Sequence, residues 1–289
     1  MTNPKKFTCL NTETQMPLIG LGTYKINHED DVYNALDTAL GVGYRLIDTA
    51  AVYQNENLIG NALKTLLPKY GLKREDLFII SKLGPKDHGS ELAYKACLES
   101  LEKLQCDYLD LYLIHWPGKQ KLKSEDPRHK QYRKESWFEF EKLFSEGLVK
   151  NIGVSNYSLK QLDEMLSYCK KLPAVLQVEY HPHLVQEDLL KWCTDHNVHL
   201  QAYRSLGISE LLTDPLVTKM AKMYGKKESH VLLKWALQQN ISVIPKSTNK
   251  DHLEENFNVW DFELTEDDIL ELKKLNRNAR YCWDPSPVV

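Results

Sequence analysis

The sequence predicts an α/β fold, a (β/α)8 TIM barrel with a short irregular C-terminal tail. Three observations predict it. Eight short apolar runs are spread evenly along 289 residues, amphipathic segments lie between them, and no composition break divides the chain. The runs begin near Leu18 (LIGLGTY), Tyr44 (YRLIDTA), Leu77 (LFIIS), Tyr108 (YLDLYLIHW), Val149 (VKNIGVS), Ala174 (AVLQVEY), Val198 (VHLQAY) and Ile241 (ISVIP). Their content of Ile, Leu, Val and Tyr suits strands covered on both faces. A domain of this size buries roughly three quarters of its unfolded surface, so residues 1–289 are expected to form a single domain.

The helices follow from spacing. In 30–40, Val32, Ala35, Leu36, Ala39 and Leu40 recur at helical intervals, and 56–67, 91–104, 136–146, 159–168 and 187–195 carry similar patterns. Ser158 with Gln161 three residues on reads as a capping box, and Gly71 and Gly147 stand where helices end. Two segments break the alternation. Residues 116–135 (WPGKQKLKSEDPRHKQYRKE) are polar, hold seven Lys or Arg, and read as a solvated loop that also has the charge to draw anionic substrates. The tail 276–289 holds Tyr281 and Trp283, aromatics placed to close a pocket or to pin the tail.

Charge excludes several functions. With 37 basic against 40 acidic residues and a net charge of −3, no global field invites nucleic acid or a membrane surface. No apolar run approaches the roughly 20 residues of a membrane span. The first ten residues carry Lys5 and Lys6 without an apolar core, so no secretory signal is expected. Six cysteines with no C-x-x-C pair fit a reduced, cytoplasmic protein rather than a disulfide scaffold or zinc ribbon.

A barrel of this kind carries its site at the C-terminal ends of the strands. The second run delivers Asp48 and continues into Tyr53, the third delivers Lys82, and the fourth His115. The fifth ends in Ser155 and Asn156, the sixth reaches Gln177, the seventh ends in Tyr203, and Lys246, Ser247 and Thr248 follow the eighth. Singly, each has a structural reading as cap, edge residue or hydrogen-bonded core group. Together, Tyr, Lys, Asp and His suit carbonyl reduction, because hydride reaching carbon leaves charge on oxygen that needs a proton donor. A neighbouring ammonium is expected to lower the phenol pKa, an aspartate to hold the ammonium, and a neutral histidine to orient the oxygen.

The runs GLGTYK, YRLIDTAAVYQNE, LYLIHWP, GVSNY, QVEYHP and IPKST, in this order and over nearly the whole chain, resemble the aldo-keto reductase superfamily. The length and the ending NRNARYCWDP are similar to its compact, broad-specificity branch near glyoxal and methylglyoxal reductases, which implies an open, tolerant pocket. The resemblance implies an enzyme that passes hydride from NADPH to aldehydes and some ketones, with NADH weaker. It implies a catalytic set of Asp48, Tyr53, Lys82 and His115, with Tyr53 as general acid. Gly22 and Thr23 would border the cofactor. Ser155, Asn156 and Gln177 would hold its carboxamide, and Tyr203 would stack on the ring. Arg204 and Leu206 would line the pyrophosphate loop, Lys246, Ser247 and Thr248 the adenosine phosphates, and Glu255 and Asn256 the adenine. His252 stands where the family often has an arginine for the 2′-phosphate. Tyr24, His115 and Trp116 would touch substrate. Small carbonyl compounds are the expected partners, with no nucleic acid or membrane, and a monomer is expected.

Other readings are weaker. GLG at 20–22 lacks the third glycine of a dinucleotide fingerprint, since Lys25 stands there. His181, His183, His196 and His199 lack the convergent spacing of a metal site, so none is expected. Asp48 and Glu179 make no facing pair for glycoside hydrolysis. The main alternative is a catalytically silent barrel that binds NADPH as a sensor or structural protein.

Overall fold

The computed structural model describes residues 6–289, so Lys5 and the polar residues before it lie outside the described residues. The chain starts with a feature that the apolar runs do not announce. β1 (Phe7–Cys9) and β2 (Gln15–Pro17) form an antiparallel hairpin with Phe7 opposite Pro17.

Eight parallel strands follow: β3 (Leu21–Gly22), β4 (Leu46–Asp48), β5 (Phe78–Leu83), β6 (Leu111–Ile114), β7 (Ile152–Ser155), β8 (Val175–Glu179), β9 (His199–Tyr203) and β10 (Ser242–Val243). They pair in sequence order. A parallel bridge from Ile19 to Val243 closes the last strand onto the first, with the Gly20 N–H donating to the Val243 carbonyl at 2.9 Å. The seam is tight: a Cβ on Gly22 would sit 2.5 Å from the Ile244 carbonyl oxygen, which explains glycine there.

Helices alternate with the strands. They are α1 (Glu29–Val42), α2 (Glu56–Lys69), α3 (Leu92–Leu104), α4 (Arg128–Ser145), α5 (Leu159–Leu166) and α6 (Glu187–Asp195), one after each of β3 to β8. Three helices, α7 (Ser209–Leu212), α8 (Pro215–Tyr224) and α9 (Glu228–Gln238), separate β9 from β10, and α10 (Lys250–Phe257) and α11 (Glu266–Lys273) complete the shell. Ser158 and Gln161 form the expected capping box on α5, and Gly71 and Gly147 follow α2 and α4 with φ of +63° and +77°.

The strand pleat divides the core. Leu46, Phe78, Ile80, Leu111, Leu113 and Val175 pack inside the barrel with Met16 and Leu10 of the hairpin region. Their neighbours Ile47, Ile79, Tyr112, Ile114 and Leu176 face outward and pack with the helices. This period of two matters for the site, because residues in phase with the inner set must point into the barrel. Asp48, Lys82, His115, Gln177 and Tyr203 are all in that phase.

The basic segment 116–135 departs from expectation. It is not a solvated loop throughout, because α4 starts at Arg128 and buries His129, Arg133, Ser136, Trp137, Phe140 and Leu143 along one face. Arg133 is wholly buried. It pairs with Glu164 at 3.1 Å and donates to the carbonyls of Pro117 and Val289 at 3.3 and 2.8 Å. A guanidinium reaches the interior when each of its faces finds an acceptor, which a charge count does not reveal.

Candidate active site

Four strand ends converge at one mouth of the barrel. Asp48 ends β4, Lys82 lies in β5, His115 follows β6, and Tyr53 sits on a single turn of 3-10 helix just past β4. Lys82 Nζ donates to Asp48 Oδ1 at 2.6 Å and to the Thr49 carbonyl at 2.8 Å. Its third neighbour is the Tyr53 hydroxyl at 3.4 Å. The Tyr53 ring meets His115 edge-on at 5.6 Å between centroids and Tyr24 at 5.1 Å.

Burial controls the electrostatics of this group. Desolvation drives the Lys82 ammonium below its usual pKa, while the adjacent Asp48 charge opposes that fall. His115 is pushed well below the usual imidazole value by burial and then by the charge of Lys82, so it is neutral at pH 7. Tyr53 goes the other way from the sequence expectation. Desolvation, followed by the charge of Asp48, holds its phenol well above the ordinary value, because burial outweighs the ammonium at 3.4 Å. The resting phenol is therefore protonated.

A layer of amides lies beside the four. Gln177 Nε2 donates to Asp48 Oδ2 at 2.8 Å and to Gln201 Oε1 at 2.7 Å. Asn156, at φ +63°, donates to the His115 carbonyl at 2.9 Å and to Ser155 Oγ at 3.1 Å, and accepts from the Tyr203 hydroxyl at 2.7 Å. Ser155 and Gln177 are register partners across β7 and β8. Among the described residues the Ser155 hydroxyl proton and Gln177 Oε1 have no hydrogen-bond partner, which leaves a donor beside an acceptor. A primary carboxamide needs that complement.

Further out, Lys246, Thr248, Lys250, His252 and Arg204 are exposed. Lys246 and Arg204 form no ion pair among the described residues, and Arg204 holds φ at +55°. Ser247 is buried, its hydroxyl taking the Asn249 N–H at 3.0 Å. The remaining residues singled out from the sequence sit in less open places. Thr23 Oγ1 donates to the Asp48 carbonyl at 2.9 Å, and Gly22 pairs with Pro245 through its backbone at 3.1 Å. Leu206 packs against the outer core, Glu255 is paired to Lys227, and Asn256 is buried.

The walls around the mouth are aromatic. Tyr24 is exposed, and Trp116 lies 5.9 Å from His115 and meets Trp283 of the tail edge-on at 4.9 Å. An adjoining cleft of about 370 Å³ is lined by Pro85, Trp116, Leu122, Trp283 and Val288 among others. Sequence reading missed Thr49 and Gln201. Gln201 is legible in principle, as a polar residue in phase with the inner face of an otherwise apolar strand. Thr49 contributes only a carbonyl, which no side-chain pattern marks. No group of three or more His, Cys, Asp or Glu among the described residues is placed to hold a metal ion.

Comparison with known proteins agrees with this geometry. The Aldo/keto reductase family model matches residues 18–277. Aldose reductase C of Dictyostelium discoideum is 42% identical over 94% of this chain and 90% of its own. Glyoxal reductase of Bacillus subtilis is 37% identical over 100% and 99% of the two chains. Among solved structures, the aldose reductase of Schistosoma japonicum superposes with a TM-score of 0.88 at 38% identity, over 96% of this chain and 94% of that one. With a family model spanning most of the barrel and relatives similar from end to end, the chain belongs to the aldo/keto reductase family and is an oxidoreductase of it.

Proposed function

We propose that this oxidoreductase reduces the carbonyl group of aldehydes and some ketones with NADPH, giving alcohols, and that Tyr53 is the general acid. The single observation that carries the reading is the chain Asp48–Lys82–Tyr53, a buried ion pair ending on a half-buried phenol, with bonds of 2.6 and 3.4 Å, facing His115 at the open end of the barrel. Bound NADPH would supply the hydride to the carbonyl carbon. The chain's part is the oxygen.

A carbonyl oxygen that gains charge becomes a stronger base than a phenolate, so it takes the Tyr53 proton although burial has raised that pKa. Holding the phenol protonated at rest is what a proton donor requires. Once the proton has left, the Lys82 ammonium lies against the phenolate, and Asp48 keeps the ammonium from turning away. Neutral His115 hydrogen-bonds the same oxygen and fixes its direction. Tyr24 and Trp116 wall the substrate.

The residues present fit the cofactor. The free donor on Ser155 and acceptor on Gln177 match a carboxamide, with Asn156 and Tyr203 bracing the same spot. Lys246 and Arg204, which form no ion pair among the described residues, suit phosphates with Ser247 and Thr248, the 2′-phosphate being within the reading for Lys246; His252 and Lys250 stand at the start of α10 beside it, and NADH is expected to bind less well. Glu255, Asn256, Gly22, Thr23 and Leu206 complete the proposed contacts. The test is loss of reduced-nicotinamide absorbance with para-nitrobenzaldehyde, methylglyoxal and phenanthrenequinone. Turnover of at least one supports the reading. NADPH binding without turnover of any would replace it with a silent NADPH-binding barrel.

A further inference from the structure

We propose that Glu179 is a positioning residue that fixes the aromatic wall of the cleft and so sets the preference for aromatic over small carbonyl substrates; this rests on the carbonyl-reductase reading above. Glu179 ends β8, in phase with Gln177, and is fully buried. Its carboxylate touches none of the four residues of the proposed catalytic group. Instead Oε1 accepts the Tyr281 backbone N–H at 2.7 Å and bonds His181 Nε2 at 3.0 Å, while Oε2 accepts the Cys282 N–H at 3.1 Å.

Two consecutive amides on one buried carboxylate moor the tail. The mooring is reinforced nearby: Ala279 N–H donates to the His183 carbonyl at 3.0 Å, and the Tyr281 ring stacks on His181 at 4.9 Å. Directly after the two moored residues comes Trp283, whose ring meets Trp116 edge-on at 4.9 Å. Past it, Gln161 Nε2 holds the Val288 carbonyl at 2.7 Å and buried Arg133 holds that of Val289 at 2.8 Å. The tail is thus a strap across the barrel mouth, tied by a buried anion at one side and a buried cation at the other.

Trp283 is 51% exposed, so besides its edge contact with Trp116 the strap sets its position. An aromatic substrate reaching past His115 would lie against this wall. A carbonyl of two or three carbons would not. Replacing the carboxylate with an amide leaves one acceptor for three donors and turns an N–H2 toward N–H groups, which favours release of the tail to water.

The experiment compares wild type, Glu179→Gln, Trp283→Ala and the double variant with phenanthrenequinone and methylglyoxal. For Glu179→Gln the KM for phenanthrenequinone is expected to rise about tenfold, the size of a lost aromatic contact, with kcat for methylglyoxal within about twofold. Because Glu179 acts through Trp283, the double variant should match Trp283→Ala. Equal losses for both substrates, or losses that multiply in the double variant, would overturn the proposal. Cys282→Pro deletes one mooring amide while leaving Glu179 and the barrel core intact, so it decides the matter if Glu179→Gln does not fold. It should shift selectivity the same way, and unchanged selectivity would refute the role. Absence of wild-type turnover would instead remove the carbonyl-reductase reading itself.

Discussion

Each end of the barrel holds a sheltered cation on a carboxylate, and the two pairs end differently. At the strand entries, Arg74 donates to Asp110 Oδ2 at 2.7 Å and to the carbonyls of Leu77 and Tyr108 at 2.9 Å. Asp110 also accepts the Ile79 N–H at 2.8 Å, and Asn151 ties the Asp110 carbonyl at 2.8 Å. That network closes on backbone and joins β5, β6 and β7. At the mouth, Lys82 spends two donors on Asp48 and Thr49, then points at the Tyr53 hydroxyl. The first pair stitches strands; the second ends on a side chain at the barrel mouth. Ion pairs of one chemical type thus divide, in the proposed reading, into structure and chemistry by where the last hydrogen bond goes.

The sharpest way to break this comparison is Tyr53→Phe, which removes the end of the second chain. It is expected to lower kcat by about 10²–10⁴, the range for a general acid, with the NADPH dissociation constant nearly unchanged. Steady-state rates and fluorescence titration check it, and equal loss of both would make the tyrosine structural. Next come Lys82→Met and Arg74→Met. Lys82→Met strands a buried carboxylate, so about 3–5 kcal/mol of stability should go together with turnover. Arg74→Met should cost about 1–3 kcal/mol yet keep kcat/KM near wild type. Urea unfolding beside the carbonyl assay separates the two, and a dead but well-folded Arg74→Met protein would erase the distinction.

Acid sharpens the contrast from the mouth side. Burial drives His88, bonded to the Trp116 carbonyl, down to about 3, and His115 well below its usual value. Unfolded, both titrate near 6.5, so below that pH the unfolded chain binds protons that the folded chain refuses. Stability is then full above about pH 6.5 and falls as pH drops, by about 1.4 kcal/mol per pH unit for each histidine. Urea midpoints at about pH 7 and about pH 5 measure the slope, and His88→Gln should remove about half of these two groups' share. The smallest effect expected is at the rim. Lys246→Met should raise the KM for NADPH about tenfold and that for NADH about twofold, as loss of one charge-assisted contact predicts. Equal shifts would place Lys246 away from the 2′-phosphate.

Much of this was legible in sequence because strands and their ends obey a period of two. Leu46 and Asp48, or Ile80 and Lys82, declare a shared face, and that face is the inside of the barrel. The proposed phenol–ammonium–carboxylate order follows from residue types alone. Its pKa did not, since the balance between burial and charge at Tyr53 depends on depth that a sequence does not carry. The burial of Arg133 is not legible for a related reason: Glu164 and Val289, which make it tolerable, lie far along the chain. The hairpin of β1 and β2 is not legible because each strand is only three residues long, and β1 buries Thr8, a polar residue, between two exposed ones.

The seam between Ile19 and Val243 carries a consequence for how the protein is made. All four residues of the proposed catalytic group belong to the first half of the chain, and the contact that closes the barrel waits for the last strand. A growing chain therefore exhibits open strand edges long after its chemistry is encoded. Such edges pair with other chains, and long-range parallel pairing is slow. The window between synthesis of β4 and docking of β10 is where this barrel is most exposed to aggregation, and Gly22, where a Cβ would meet the Ile244 carbonyl oxygen at 2.5 Å, is where the closing strand demands the barest backbone.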